Sequence, residues 1–301
     1  MSAPAPRRRA RRGRALVLGL PAAWMALFFA APFAIVLSIG FAEPAEGIPP
    51  YGPLLRWSGD ATAVLQLNLA NFQLLVEDPF YLDAVLRSLR VAAVSATLCL
   101  LVGYPMALAI ARAPEPWRNP LLLLVILPFW TSFLLRVTAW IGLLQDGGWI
   151  NGALIGLGLI AEPIPLLYTD LAMYLGITYC YLPFMVLPLY ATLVKQDPAL
   201  LEAAGDLGAR PLRAFLSVTL PLSLPGVLAG FLLVFIPAVG EFVIPELLGG
   251  PGAQLIGRVL WTEFFQNRDW PLASALAVVL LVALVLPIAL FQARVSTEGR
   301  G

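Results

Sequence analysis

Histidine is absent from the 301 residues, lysine occurs once, cysteine occurs twice, and charged residues make up only 12% of the chain. Without histidine, no Ser-His-Asp triad and no histidine-ligated zinc site can form. The single lysine, Lys195, follows Ala191-Thr192-Leu193-Val194 rather than a glycine-rich loop, which excludes a P-loop nucleotide site. No cluster of acids or thiols supplies another catalytic constellation. The chain is therefore expected not to be an enzyme, and to have no catalytic residue, metal site, cofactor or nucleic-acid partner of its own. Cys99 and Cys180 both fall within apolar runs and are read as buried thiols rather than a disulfide.

What is abundant is apolar residue. The hydrophobic share is 60% and the mean hydropathy +0.85, whereas a soluble domain carries about 25% charged residues. Apolar runs of about 20 residues mark bilayer-spanning helices. Six are expected, over 16–41, 91–111, 120–144, 168–193, 222–242 and 271–291. The 27 prolines are compatible with this reading, because neighbouring helices or cavity water can satisfy the carbonyls they free. The fold class is thus all-α, a polytopic membrane protein. Its expected organisation is a basic tail 1–14, a first transmembrane helix 15–42, a periplasmic segment 43–86, a membrane domain 87–291 and a tail 292–301. Gly40-Phe41-Ala42 is similar to a signal cleavage site, but the run before it is longer than an ordinary signal core, so a retained anchor is expected.

Basic residues orient the chain. With the N-terminus inside, 13 of the 19 Lys and Arg lie on the inner side and five on the outer side, with Arg136 in a span. The positive-inside rule therefore places both termini in the cytoplasm. Only five of the 18 acids are inside; with Arg136 counted on the outer side, this leaves the outer side at −7 and the inner side at +8. An acidic outer face favours a cationic solute.

The loop between the fourth and fifth spans carries Glu202-Ala203-Ala204-Gly205-Asp206-Leu207-Gly208, then Val218-Thr219-Leu220-Pro221. Asp197 can cap a helix with Pro198 in its first turn, and Gly208 can end it. Alone, this is also what a solvated amphipathic loop helix looks like. In its full spacing it resembles the EAA loop of membrane subunits of ABC importers, with Val218 where that pattern has Ile. The resemblance implies that 202–208 docks a separate ATPase, and that the fold is the type I importer transmembrane fold.

Further stretches resemble the spermidine/putrescine-type permease subgroup over about 80–291. They are Gly103-Tyr104-Pro105, Pro128-Phe129-Trp130-Thr131 with Leu135-Arg136, Gly148-Trp149-Ile150-Asn151, and Gly240-Glu241-Phe242-Val243-Ile244-Pro245-Glu246-Leu247-Leu248-Gly249-Gly250. The resemblance implies a bacterial inner-membrane permease subunit with a second permease chain, two ATPase subunits and a periplasmic solute-binding protein as partners. ATP would be used by the ATPase subunits. Iron, sulfate, thiamine or phosphonate permeases share the fold, and an ion-coupled secondary transporter is the rival of another class.

Ionisable groups at membrane depth are rare and need partners or water. Arg136, Asp170 and Glu241 meet that description, and with Trp130 and Tyr181 they are the candidate solute-pathway residues. Trp140 and Tyr174 could likewise stack on an alkyl-ammonium group. The plainer alternatives are an ion pair of Arg136 with Asp170 or Glu241, and an interfacial aromatic belt. Pro237 and Gly240 are expected to interrupt the fifth span beside Glu241.

Overall fold

The computed structural model describes residues 17–57 and 63–298. The basic tail expected over 1–14 and the end of the 292–301 tail lie outside the described residues. The chain divides into two compact units, Met1–Pro79 with Leu260–Gly301, and Phe80–Val259.

In the first unit, α1 (Val17–Gly40) includes a π-helical turn over Ala26–Ala30, immediately before Pro32. Widening the helix there accommodates a ring that cannot donate and would crowd the preceding turn. The carbonyls at and just beyond the end of α1 do not go unpaired. Buried Asn71 donates through Nδ2 to the oxygens of Gly40 and Ala42, each at 3.0 Å. Asn71 itself sits on α2 (Ala70–Glu77), which follows a short antiparallel ribbon of β1 (Leu55–Trp57) and β2 (Ala63–Leu65). That ribbon is the only paired-strand element among the described residues of an otherwise helical chain. The unit is completed by α12 (Trp270–Glu298), whose first turn is capped by Asp269 accepting from Leu272 N at 3.0 Å. α1 and α12 approach closely at small residues, since a Cβ on Gly40 would lie 3.2 Å from Ala275 N.

The second unit begins with α3 (Pro79–Arg112), which starts twelve residues before the apolar run that was expected to define it. Asp83, Arg87 and Arg90 dilute the hydropathy of its first turns. Even so, Tyr81, Ala84, Ser88, Val91 and Ala92 form one buried helical stripe. The third expected span is the main departure from the sequence reading. It is a bent pair, α4 (Glu115–Trp130) and α5 (Phe133–Leu144, running on toward α6, Trp149–Gly156), with 91° between the two arms. Pro128 cannot donate to the helix ladder, so the chain tightens into a 3-10 turn at Leu127–Trp130, and Thr131 and Ser132 are extended. The Thr131 hydroxyl donates to Pro128 O at 2.7 Å and closes that end.

There follow α7 (Asp170–Leu193), α8 (Pro198–Asp206), α9 (Pro211–Val239), α10 (Val243–Leu248) and α11 (Ile256–Trp261). α9 has a π turn at Phe215–Thr219 just before Pro221, the same accommodation as in α1. It then continues through Pro225 and Pro237 and ends at Val239, so Gly240 rather than Pro237 is the stop. α7 and α9 form the central seam. A Cβ on Gly230 would stand 2.8 Å from Met185 Sδ, and one on Gly226 would stand 2.6 Å from Thr192 Oγ1. This Gly-x-x-x-Gly spacing permits the close backbone approach that drives helix association where lipid offers no hydrophobic contrast. Tyr104 and Ser223 add a buried hydroxyl pair at 2.9 Å between α3 and α9.

Among the described residues, four helices are long and apolar enough to cross a bilayer unbroken: Val17–Gly40, Pro79–Arg112, Asp170–Leu193 and Pro211–Val239. The bent pair occupies the third expected position, and the shorter apolar helix Trp270–Leu286 occupies the sixth.

Candidate functional site

The segment after α7 is built almost entirely from local interactions. Asp197 accepts from Ala199 N at 2.9 Å through its side chain, and Pro198 fills the first helical position, where its missing N–H costs nothing. At the other end Gly208 has φ +80, Gly208 N donates to Gly205 O at 2.8 Å, and Ala209 N donates to Ala204 O at 2.9 Å. This pair of bonds is the Schellman motif, which satisfies carbonyls that the helix end leaves open. Glu202, Ala203, Gly205, Asp206 and Leu207 are exposed, Leu207 at 90%, and Ala204 is half-buried. Nearby Leu212 is 70% exposed. An isolated leucine on a surface needs no explanation, but two this open beside one short helix make an apolar contact face.

The second constellation lies where α9 gives way to α10. Glu241 is 7% exposed. Its Oε1 accepts from Val243 N at 2.9 Å and Ile244 N at 3.4 Å, and its Oε2 accepts from the Tyr181 hydroxyl at 2.5 Å. Break and carboxylate explain one another. Gly240 ends α9, and Glu241 takes up the open N–H groups at the start of α10. Hydrogen bonds to an ionised acceptor are about twice as strong as neutral ones, so this carboxylate is held in one geometry.

Aromatic rings extend from that pair. Tyr181 lies 6.0 Å from Phe184, and Phe184 lies 5.0 Å from Phe129. The Arg136 guanidinium stands 5.3 Å from the Phe129 ring and 5.7 Å from the Phe133 ring. Its Nε and Nη1 are enclosed and have no hydrogen-bond acceptor. Cation–π contact in such a setting contributes about 2 kcal/mol, which offsets only part of what two unfilled charged donors cost. Cys180 and Cys99 are free and buried.

The expected ion pairs of Arg136 do not form. Glu241 is committed to Tyr181 and the α10 backbone, while Asp170 pairs with Arg87 at 3.0 Å. Arg87 also donates to Gly252 O. Asp170 opens α7, whereas Tyr181 is eleven residues further on, about 16 Å along the axis. The two carboxylates therefore belong to separate sites. Asp170 instead lines a cleft of 550 Å³ with Asp83, Arg87, Arg90 and Tyr174. Trp130 ends the 3-10 turn at 78% exposure and stays outside the ring cluster, and Trp140 packs edge-on against Tyr179 at 5.6 Å. Arg87, Phe133 and Phe184 were missed from the sequence. A single Phe in an apolar run carries no signal of its own, and the Arg87–Asp170 pair joins residues 83 positions apart.

Similarity to known proteins decides the family. The model of the binding-protein-dependent transport system inner membrane component family matches residues 7–297. The chain belongs to that family. It is 38% identical to the spermidine/putrescine transport system permease protein PotB of Haemophilus influenzae, over 88% of each chain. Identity to PotB of Escherichia coli is also 38%, over 89% of this chain and 92% of that one. Among solved structures, a chain of a bacterial ABC transporter that imports the acidic polysaccharide alginate superposes with TM-score 0.68 at 20% identity, covering 97% of this chain and 99% of that one. That likeness shows the fold alone: this permease has the transmembrane fold of ABC importers.

Proposed function

We propose that this permease passes polyamine cations through a pathway that includes Glu241 and Tyr181. The observation that carries the proposal is the enclosed Glu241 carboxylate at the head of a row of rings, Tyr181, Phe184 and Phe129. A carboxylate offers a partly desolvated ammonium a strong partner, and ring faces suit the methylenes and charge of an alkyl-ammonium chain. Relatives named as spermidine/putrescine permeases support the same solute class. In this reading the chain works beside a second, paralogous permease, two ATPase subunits and a periplasmic binding protein. It uses no cofactor itself, and ATP is spent by the ATPase subunits. The helix α8 with Gly208 passes the ATPase motion to α7 and α9.

Both termini are assigned to the cytoplasm, from the distribution of basic residues. A cysteine placed at Lys195 is expected to be shielded from an impermeant thiol reagent added outside, and one at Gly252 to react. The native Cys99 and Cys180 are buried and give a low background. The reverse pattern overturns the orientation.

The solute is tested by reconstituting the complete importer and measuring binding-protein-dependent uptake of radiolabelled spermidine, putrescine and sulfate. Uptake of the amines alone is expected. A second reading, a solute bearing an anionic group, is favoured by the two enclosed Arg136 donors that lack an acceptor. Sulfate uptake with no response to amines would replace the polyamine reading and leave the permease assignment standing.

A further inference from the structure

Beside the first turn of α8 lies a second feature that neither the solute pathway nor the exposed face of α8 uses. A cleft of 460 Å³ is bounded by the ends of α3 and α7, the start of α8 and the π turn of α9. Arg112 and Arg118 line it, and Leu108, Leu201 and Leu222 give it apolar walls. Arg118 Nη2 donates to Ala113 O at 3.2 Å, but its Nε is enclosed and has no acceptor. The other polar side chains in the lining are occupied. Gln196 Nε2 donates to Thr219 O at 3.1 Å, and Asp197 caps α8. The lining therefore sets two guanidinium groups against the single carboxylate of Asp197, which leaves the cleft net positive.

Its depth in the bilayer follows from its neighbours. The apolar helix α3 ends at Arg112, and Trp117, 65% exposed, stands between the two arginines in sequence. Tryptophan marks the level of lipid headgroups. Leu222 is 46% exposed and carries the apolar wall of the cleft onward along α9. A ligand that fits presents several anionic oxygens to guanidinium groups at the interface and continues into hydrocarbon. Guanidinium forks match phosphate geometry, and basic pockets between membrane helices suit anionic headgroups.

We propose that the Arg112–Arg118 cleft binds the phosphate headgroup of an anionic phospholipid, whose presence braces the start of α8. Binding itself is independent of the function proposed above. Only its effect on ATP hydrolysis rests on the coupling role of α8.

The complete importer, reconstituted in nanodiscs of phosphatidylcholine with or without phosphatidylglycerol, tests this. Native mass spectrometry should show phosphatidylglycerol retained by the wild type. The double variant Arg112→Gln/Arg118→Gln should lose that retention by roughly fivefold per arginine. Phosphatidylglycerol should also raise solute-stimulated ATP hydrolysis in the wild type and not in the double variant, and Arg112→Lys/Arg118→Lys should recover part of both effects. Equal retention by wild type and the Gln variant overturns the site. Stimulation reproduced by glycerol 3-phosphate in phosphatidylcholine discs overturns the lipid source in favour of a soluble phosphate. Loss of the ATPase subunits from the Gln variant in both lipids overturns the proposal in favour of a protein carboxylate. If retention behaves as expected but hydrolysis does not respond, the bracing of α8 is overturned.

Discussion

From Asp197 to Ala209, the bonds that cap and close the helix join residues two to five positions apart. Tyr181 and Glu241, which meet at 2.5 Å, are sixty positions apart. Both arrangements sit in the same compact unit, yet they have different physical origins. The first is a local program of an Asp cap, a Pro at the first position and a Gly in the left-handed region. The second exists only because α7 and α9 are clamped by Gly226 and Gly230, which brings the Tyr181 turn of α7 against the end of α9. A local program tolerates changes elsewhere in the chain. An assembled site inherits every disturbance of the seam that holds it.

The sharpest test of the local side is Gly208→Val. Left-handed backbone costs an ordinary L-residue about 1–2 kcal/mol, and a β-branched one fares worse. Since about 1.4 kcal/mol is tenfold in rate, solute uptake by the reconstituted importer is expected to drop by about tenfold or more. Membrane insertion should stay intact. Normal uptake with normal ATPase retention would remove α8 from the coupling role.

On the assembled side, Glu241→Gln is expected to lower spermidine uptake by about tenfold, as loss of one partly buried charge contact of about 1.4 kcal/mol would. The folded yield should stay within about twofold. The amide oxygen can still accept from Val243 and Ile244, and the Tyr181 hydroxyl can turn to accept from the amide. A collapse of folded yield with unchanged uptake per molecule would make Glu241 purely structural.

Tyr181→Phe removes one of the three donors and keeps the ring. A net hydrogen bond to a charged group contributes about 1.5–3 kcal/mol at most, and part of it is regained from water. A loss of uptake of about threefold is therefore expected, read from the same transport assay. A loss larger than that of Glu241→Gln would mean that the hydroxyl itself contacts solute.

Smallest of all is Arg87→Gln. The side chains of Arg87 and Asp170 are 37% and 62% exposed, and exposed pairs contribute about 0–1 kcal/mol. Thermal stability and uptake are expected to stay near wild type, within about twofold for uptake. A large effect on uptake would bring the Asp170 cleft into the pathway after all.

These two regions also show what could be read ahead of the structure. The helix at 198–206, its cap and its glycine stop were legible because each depends on a residue's own conformational preference. The position of the fifth-span break was only half legible. A proline in a membrane helix can be absorbed by a π turn or by freed carbonyls, and α9 does absorb Pro237. The 91° bend in the third segment was not legible. Hydropathy averages over Pro128 and the extended pair Thr131-Ser132, and sees one apolar run where the backbone makes two arms. Nor was the partner of Arg136 legible, because charge complementarity named Asp170 and Glu241 while packing gave both to other groups.

By itself, the sequence determined that this chain is helical and lies in a membrane, and that a capped helix interrupts it before Gly208. Each of these follows from composition, from solvation in hydrocarbon or from the backbone preferences of single residues. Tertiary structure alone decided which polar groups meet. It gave Glu241 to Tyr181 and Asp170 to Arg87, and it left Arg136 against two phenylalanine rings. In an apolar medium any donor gains by finding any acceptor, so the sign of a charge names many possible partners, and only the close approach of specific helices selects one.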